Sequence, residues 1–216
     1  MKSKITTRDE IIAQFHDGQI IAIGGQTARY MPERLISCIL ESGAKHLTVY
    51  SIDTSDPGIG VGRLIDAGVV DRMITCHVGT NPVTNAQMQA GTLQVEFSPM
   101  GSFIERIRSG GFGLGGVLTK TGLDTVVENG KQTVEVHGER YLLETALRAD
   151  IAITRARRSD PIGNLAYRGS TGRASHPLIA ACGDISIVEC DHLCDLGEIT
   201  PDEVELPGMF VDMILA

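Results

Sequence analysis

Asp17-Gly18-Gln19-Ile20-Ile21-Ala22-Ile23-Gly24-Gly25-Gln26-Thr27-Ala28-Arg29-Tyr30-Met31-Pro32 is the stretch whose reading decides the fold. Four apolar residues, Ile20 to Ile23, run up to a glycine pair, the pattern of a buried strand. Pro32 then opens a segment carrying Leu35, Ile36, Ile39 and Leu40 at helical spacing. Proline fits a first helical turn because its missing N–H costs nothing there. Strand, short loop and helix in that order open an α/β domain. Paired glycines let backbone approach a ligand closely, and the free N–H groups of a helix N-terminus favour an anion. Gly24, Gly25, Gln26, Thr27, Ala28, Arg29 and Tyr30 are therefore a candidate site for a phosphate or a carboxylate.

The alternation continues outward. Thr7 with Glu10 three residues later is a capping box opening a first helix, which Asp17-Gly18 is expected to end. Gly43 closes the helix that Pro32 opens. Leu47–Tyr50, Met73–Cys76 and Leu93–Phe97 read as strands, and residues 84–90 and 103–108 as helices. The order implies an α/β fold with a mainly parallel, doubly wound sheet flanked by helices. Residues 109–122 are dense in glycine and read as a loop facing a ligand or an interface, with Gly110–Gly116 its centre. Val126–Lys131 reads as a hairpin turning at Asn129-Gly130, and Val134–Val136 and Tyr141–Leu143 as short strands. Together they suggest a small β excursion near 115–145. Ile151–Ile153 and Ile185–Val188 return to the core. The segment from Glu198 to Ala216, broken by two prolines, is expected to wrap the surface or a partner.

The 216 residues suit one domain, 1–216, with its own core. A net charge of −8 and an aromatic content of 4% disfavour nucleic acid. No apolar run approaches a membrane span, and Met1-Lys2-Ser3-Lys4 lacks the apolar core of a signal peptide. Five widely spaced cysteines fit reduced thiols in the cytoplasm. Cys190, His192 and Cys194 lack the second ligand pair a structural zinc wants, so no metal is implied.

Further motifs add to the first. Ile104-Glu105-Arg106-Ile107-Arg108 precedes Gly110-Gly111, and Thr121-Gly122 follows. Asp160-Pro161-Ile162-Gly163-Asn164-Leu165-Ala166-Tyr167-Arg168 and Leu206-Pro207-Gly208-Met209-Phe210-Val211-Asp212 complete the series. In this order, along nearly the whole chain, they resemble the α subunit of family I CoA-transferases, nearest the bacterial acetate–acetoacetate (butyrate–acetoacetate) type. The resemblance implies a cytoplasmic αβ enzyme, commonly α2β2, that moves CoA from a short-chain acyl-CoA to a free carboxylate. It implies a ping-pong course through an acyl anhydride and a glutamyl thioester. The family's nucleophilic glutamate lies in a Glu-Asn-Gly segment of the β subunit, so no catalytic nucleophile is expected in this chain. Glu128-Asn129-Gly130 has the same three letters, but its turn chemistry favours a hairpin tip. CoA enters as substrate, with residues 24–30 completing its pocket, and no nicotinamide cofactor is implied.

Departures from the family pattern fall where the pocket is expected. Gln26 and Tyr30 replace a Phe and a Gly, Ile52 stands where the second strand usually runs into an Asn, and Met100 replaces a Gln thought to bind the oxyanion. Gly172-Arg173-Ala174-Ser175-His176-Pro177 replaces Ala-Arg-Asn-Phe-Asn-Pro. Gln26 and Met100 are thus the oxyanion and pocket candidates. One reading has the pocket re-cut for another acyl group, Gln26, Tyr30 and His176 supplying polar contacts while Met100 and Ile52 reshape the wall. Others are acyl-CoA hydrolysis, ring-opening of a CoA thioester, or a non-catalytic CoA-binding subunit. His16 reads as a surface group and His77 as a strand-end residue with a structural or a ligand role. Arg155, Arg157 and Arg158 read either as a CoA-phosphate cluster or as a solvated or subunit-facing group. Asn164 and Arg168 read as a turn amide and a strand-end ion-pair partner as well as family positions.

Overall fold

The computed structural model describes residues 2–27 and 29–216, without the side chain of Thr171. Ala28 of the candidate loop and Met1 lie outside the described residues. The first strand, β1, spans Ile20–Ile23, and helix α1, Arg8–Ile12, precedes it. The expected capping box is present, with Thr7 and Glu10 bonded reciprocally. The helix stops at Ile12, short of Asp17-Gly18, whose aspartate instead accepts from the Lys45 amide. Helix α2, Glu33–Ser42, ends at Gly43, which takes a left-handed φ of 76° as a C-cap.

Strand β2, Leu47–Tyr50, helix α3, Val61–Asp66, and strand β3, Val70–Thr75, follow. Helix α4, Pro82–Ala90, strand β4, Gln94–Phe97, and helix α5, Met100–Gly111, complete the first half. Strand β5, Gly116–Thr119, β6, Thr133–Val136, and β7, Glu139–Thr145, form a small antiparallel sheet. Strand β8, Ala149–Ser159, with the short β9, Leu165–Ala166, leads to helix α6, Gly169–Cys182. Strands β10, Gly183–Leu193, and β11, Met213–Leu215, end the chain.

The main sheet runs β11-β10-β8-β1-β2-β3-β4 with every neighbouring pair parallel. Helices cover both faces, as parallel strands require. Leu35, Ile36 and Ile39 of α2 with Leu64 and Ile65 of α3 pack on one face. Phe103 and Ile107 of α5 with Ile179 and Cys182 of α6 pack on the other. The doubly wound expectation holds. The terminal segment does more than wrap the surface: β11 is an edge strand beside β10.

Two local readings are corrected. The glycine-rich stretch contributes the end of α5 and strand β5 rather than one loop. A Cβ on Gly110 would lie 1.9 Å from the Leu147 carbonyl oxygen, and one on Gly111 2.9 Å from that of Ala181. Both glycines therefore serve close packing of α5. The hairpin turns not at Asn129-Gly130 but at His137-Gly138, between β6 and β7, where both residues have positive φ. Val126–Glu128 is a short 3-10 turn capped by Thr125. Asn129, with φ −57° and ψ 123°, and Gly130, with φ 77°, follow it in a type II turn closed by Lys131 N–H donating to the Glu128 carbonyl.

Candidate functional site

Strand β1 lies between β2 and β8. The chain steps outward from it through β2, β3 and β4 and then returns on its other side. Strand order reverses at β1, and open parallel sheets bind ligands at the carboxyl ends of the strands beside such a reversal. Four loops gather on that edge: 24–32 after β1, 51–60 after β2, 76–81 after β3 and 98–99 after β4. The edge is rich in buried polar residues, among them Ser51, Asp53, Thr54, Ser55, Asn81 and Ser98. Thr27, Tyr30 and Ser55 there hold left-handed backbone, with φ of 48°, 59° and 52°. Such strain concentrates where structure is held for a ligand.

The candidate loop is folded back on itself. Gln26 N–H donates to the Arg29 carbonyl at 3.2 Å, and Arg29 N–H to the Gln26 carbonyl at 2.8 Å. Thr27 N–H donates to a carboxylate oxygen of Asp53 at 2.5 Å. The amides at these three positions are therefore spoken for. So is the N-terminus of α2: the buried Glu189 carboxylate on β10 accepts from Arg34 N–H at 2.8 Å and Leu35 N–H at 3.3 Å. The anion expected at that helix end is the protein's own. At Gly24 and Gly25 the space a side chain would take is already filled. A Cβ on Gly24 would sit 2.8 Å from His176 Nδ1, and one on Gly25 2.2 Å from the Met31 sulfur. What the loop offers a ligand is side chains. Gln26 is half-buried and Thr27 and Arg29 are exposed, and among the described residues no hydrogen bond engages the Gln26 side-chain amide or the Arg29 guanidinium.

Beneath the loop lies a buried aromatic layer. His176 is fully buried, and its Nδ1 accepts from Arg155 N–H at 3.2 Å. Tyr30 meets its ring edge-on at 5.5 Å and Tyr167 at 5.7 Å. Arg155 stacks over Tyr30 at 5.3 Å and pairs with Asp191 at 2.8 Å. Burial, helped by Arg155, pushes the imidazole down to about 3, so the ring is neutral at pH 7. Burial pushes the Tyr30 phenol up to about 12. His176 is thus a floor under Gly24 and Tyr30 rather than the polar substrate contact suggested by the sequence.

The other candidates separate. Met100 is exposed at the start of α5, which follows β4, while Gln26 follows β1, three strands along the same carboxyl edge. Ile52 is buried in the core with Tyr50 and Phe103 and forms no pocket wall. Exposed His77 follows β3 on the edge, while His16 is exposed away from it. Gly110–Gly116 is not a loop of this site, because α5 begins at the carboxyl edge and carries it to the opposite one. Glu128 is tied to Arg140 at 2.9 Å and to the Asp124 amide at 2.6 Å. In the arginine cluster, Arg155 and Arg158 are paired with Asp191 and Glu203, which leaves exposed Arg157. Asn164 is a turn amide: it donates to Asp160 and accepts from Gly208 N–H, joining the two C-terminal motifs. A cavity of about 980 Å³ lies between Lys2–Thr6, α1, Ile162, Asn164 and Pro207–Met213, and none of the loops 24–32, 51–60, 76–81 and 98–99 lines it.

Sequence reasoning missed Asp53 and Glu189 as anchors. Both act across more than 20 residues, Glu189 across 155, and no local pattern announces either. The comparisons with known proteins agree with the fold and the motifs. The sequence profile described as Coenzyme A transferase matches residues 5–216. The acetate CoA-transferase subunit alpha of Escherichia coli K12 is 46% identical over 215 residues, 100% of this chain and 97% of its own length. The acetoacetyl-CoA:acetate/butyrate CoA transferase alpha subunit of Clostridium acetobutylicum is 38% identical over 215 residues, covering 100% and 98%. An acyl-CoA transferase from E. coli O157:H7, solved as a thioester complex with CoA, superposes with a TM-score of 0.87 at 18% identity. That match covers 99% of this chain and 47% of the longer one, so there the likeness is of fold. With a family profile spanning nearly every residue and relatives matched end to end, this chain belongs to the coenzyme A transferase family.

Proposed function

We propose that the chain is the α subunit of a cytoplasmic CoA-transferase acting on short-chain acyl groups of the acetyl, butyryl or acetoacetyl kind. The observation that carries this is the end-to-end similarity to relatives named as acetate and acetoacetyl-CoA:acetate/butyrate transferase α subunits. The nucleophilic glutamate belongs to a β subunit. Its carboxylate attacks the thioester carbonyl, and CoA leaves as thiolate from a tetrahedral intermediate, giving an acyl anhydride. The thiolate then attacks the glutamyl carbonyl, which releases the first acid and leaves a glutamyl thioester. A second carboxylate runs the same steps in reverse. Each tetrahedral oxyanion needs a donor.

This chain's part is at the β1 loop. Arg29 is exposed for a phosphate of CoA, and the Gln26 side-chain amide serves as the oxyanion donor. Residues 24–30 shape the CoA pocket through these side chains, Asp53 and His176 holding them from either side. No metal takes part. The test is an exchange assay on the chain co-purified with its β subunit, acetoacetyl-CoA being offered with acetate, butyrate and substituted short acids. Acid-dependent formation of a new acyl-CoA supports the transferase. Thioester loss at the same rate without acid makes the protein a hydrolase, and binding without turnover makes it a CoA-binding subunit.

A further inference from the structure

Asp53 is 1% exposed and sits where three strand ends meet. Its Oδ2 accepts from Thr27 N–H in the loop after β1, at 2.5 Å. Its Oδ1 accepts from Ser55 N–H in the loop after β2, at 2.8 Å. Its backbone forms a parallel bridge with His77 at the end of β3. The two residues whose amides it holds both carry positive φ without being glycine, 48° at Thr27 and 52° at Ser55. For a β-branched residue such as Thr27 that conformation is costly and persists only where the surroundings enforce it. A carboxylate accepting two amides is a strong way to enforce it. Gln26 and Arg29, bonded to each other across the turn, move with Thr27.

We propose that Asp53 is a positioning residue for the transfer reaction, acting through the β1 loop to hold the Gln26 amide at the reacting carbonyl. This rests on the transferase reading above. Asp53 touches no substrate. Asparagine in its place keeps the shape but loses the charge and turns an NH2 group toward one of the two amides, so that one bond is replaced by a donor–donor contact.

The test has two arms on the assembled complex. In the kinetic arm, Asp53→Asn lowers turnover at least tenfold. The double variant with Gln26→Ala is then no slower than Gln26→Ala alone, within about twofold, because Asp53 acts only through Gln26. Multiplying losses, or unchanged turnover in Asp53→Asn, overturn the proposal. In the second arm, hydrogen exchange on Asp53→Asn shows the Thr27 and Ser55 amides losing protection while Ile21–Ile23 keep theirs. Protection lost throughout the sheet, or kept at Thr27, overturns it. If the asparagine variant does not fold, Asp53→Glu displaces the acceptor while keeping its charge and is put through the same cycle. Should the wild-type complex show no acid-dependent transfer, the transferase reading fails, while the exchange arm still decides whether Asp53 holds the loop.

Discussion

Gly24→Ala tests whether the β1 loop rests on His176. Gly24 is outside the left-handed region, so the backbone itself accepts alanine. The obstacle is the imidazole. The added Cβ would lie 2.8 Å from Nδ1, 2.9 Å from Cε1 and 3.1 Å from Cγ. Ordinary contact begins near 3.4 Å, so the ring or the loop must give by about half an ångström. The ring is fixed by the Arg155 amide and by two tyrosines, and it cannot swing clear. Overpacking of this kind costs about 1–3 kcal/mol. His176→Ala removes the obstacle at its own cost, chiefly the stranded Arg155 amide, about 1–3 kcal/mol. In that background the three nearest contacts of alanine at 24 are gone, and it gains about 0.4–1 kcal/mol by restricting the unfolded chain. The two substitutions should therefore couple by about 1.4–4 kcal/mol in urea unfolding of the four proteins of the cycle. Additivity within about 0.5 kcal/mol would show that the loop does not bear on the ring.

Three further outcomes follow from the site. Gln26→Ala should lower CoA-exchange turnover at least tenfold, about 1.4 kcal/mol, and unchanged turnover would remove Gln26 from the oxyanion role. Glu128→Gln should leave turnover within about twofold, because Glu128 is spent on Arg140 and the Asp124 amide; a loss of several orders of magnitude would place the nucleophile on this chain. His176 makes stability fall toward acid pH. Its folded value, about 3, lies below the ordinary 6.5, so in that window only the unfolded chain takes up the proton. The contribution is complete above pH 6.5 and declines as pH falls, by up to ~1.4 kcal/mol per unit. Unfolding curves at pH 7 and 5 should therefore show a smaller loss for His176→Asn than for the parent, and equal losses would refute the buried neutral ring.

What was legible in the sequence is local. Strands β1 and β2 were bounded to the residue by their apolar runs, and the α1 box and the Gly43 cap are short-range hydrogen-bond patterns. Helix α6 was not legible: Gly169, Gly172 and Pro177 are poor helix formers, and its packing on α5 and β8 overrides them. Strands β8 and β10 are legible only as Ile151–Ile153 and Ile185–Val188, because charges such as Arg155, Arg158, Glu189 and Asp191 interrupt their outer halves. The glycine loop lies on the carboxyl edge of the sheet, but the partners of its amides are not local. Its amides and the α2 N-terminus satisfy Asp53 and Glu189, and only the fold brings those carboxylates there.

The division of labour between the two subunits is the central claim, and intact-mass spectrometry tests it most directly. The complex would be incubated with acetoacetyl-CoA in the absence of an acceptor acid, quenched in acid, and its subunits separated and weighed. A glutamyl thioester on the partner gives that subunit a CoA-sized mass increase and leaves this chain unchanged. A CoA adduct on this chain, or loss of thioester with no adduct on either subunit, would contradict it.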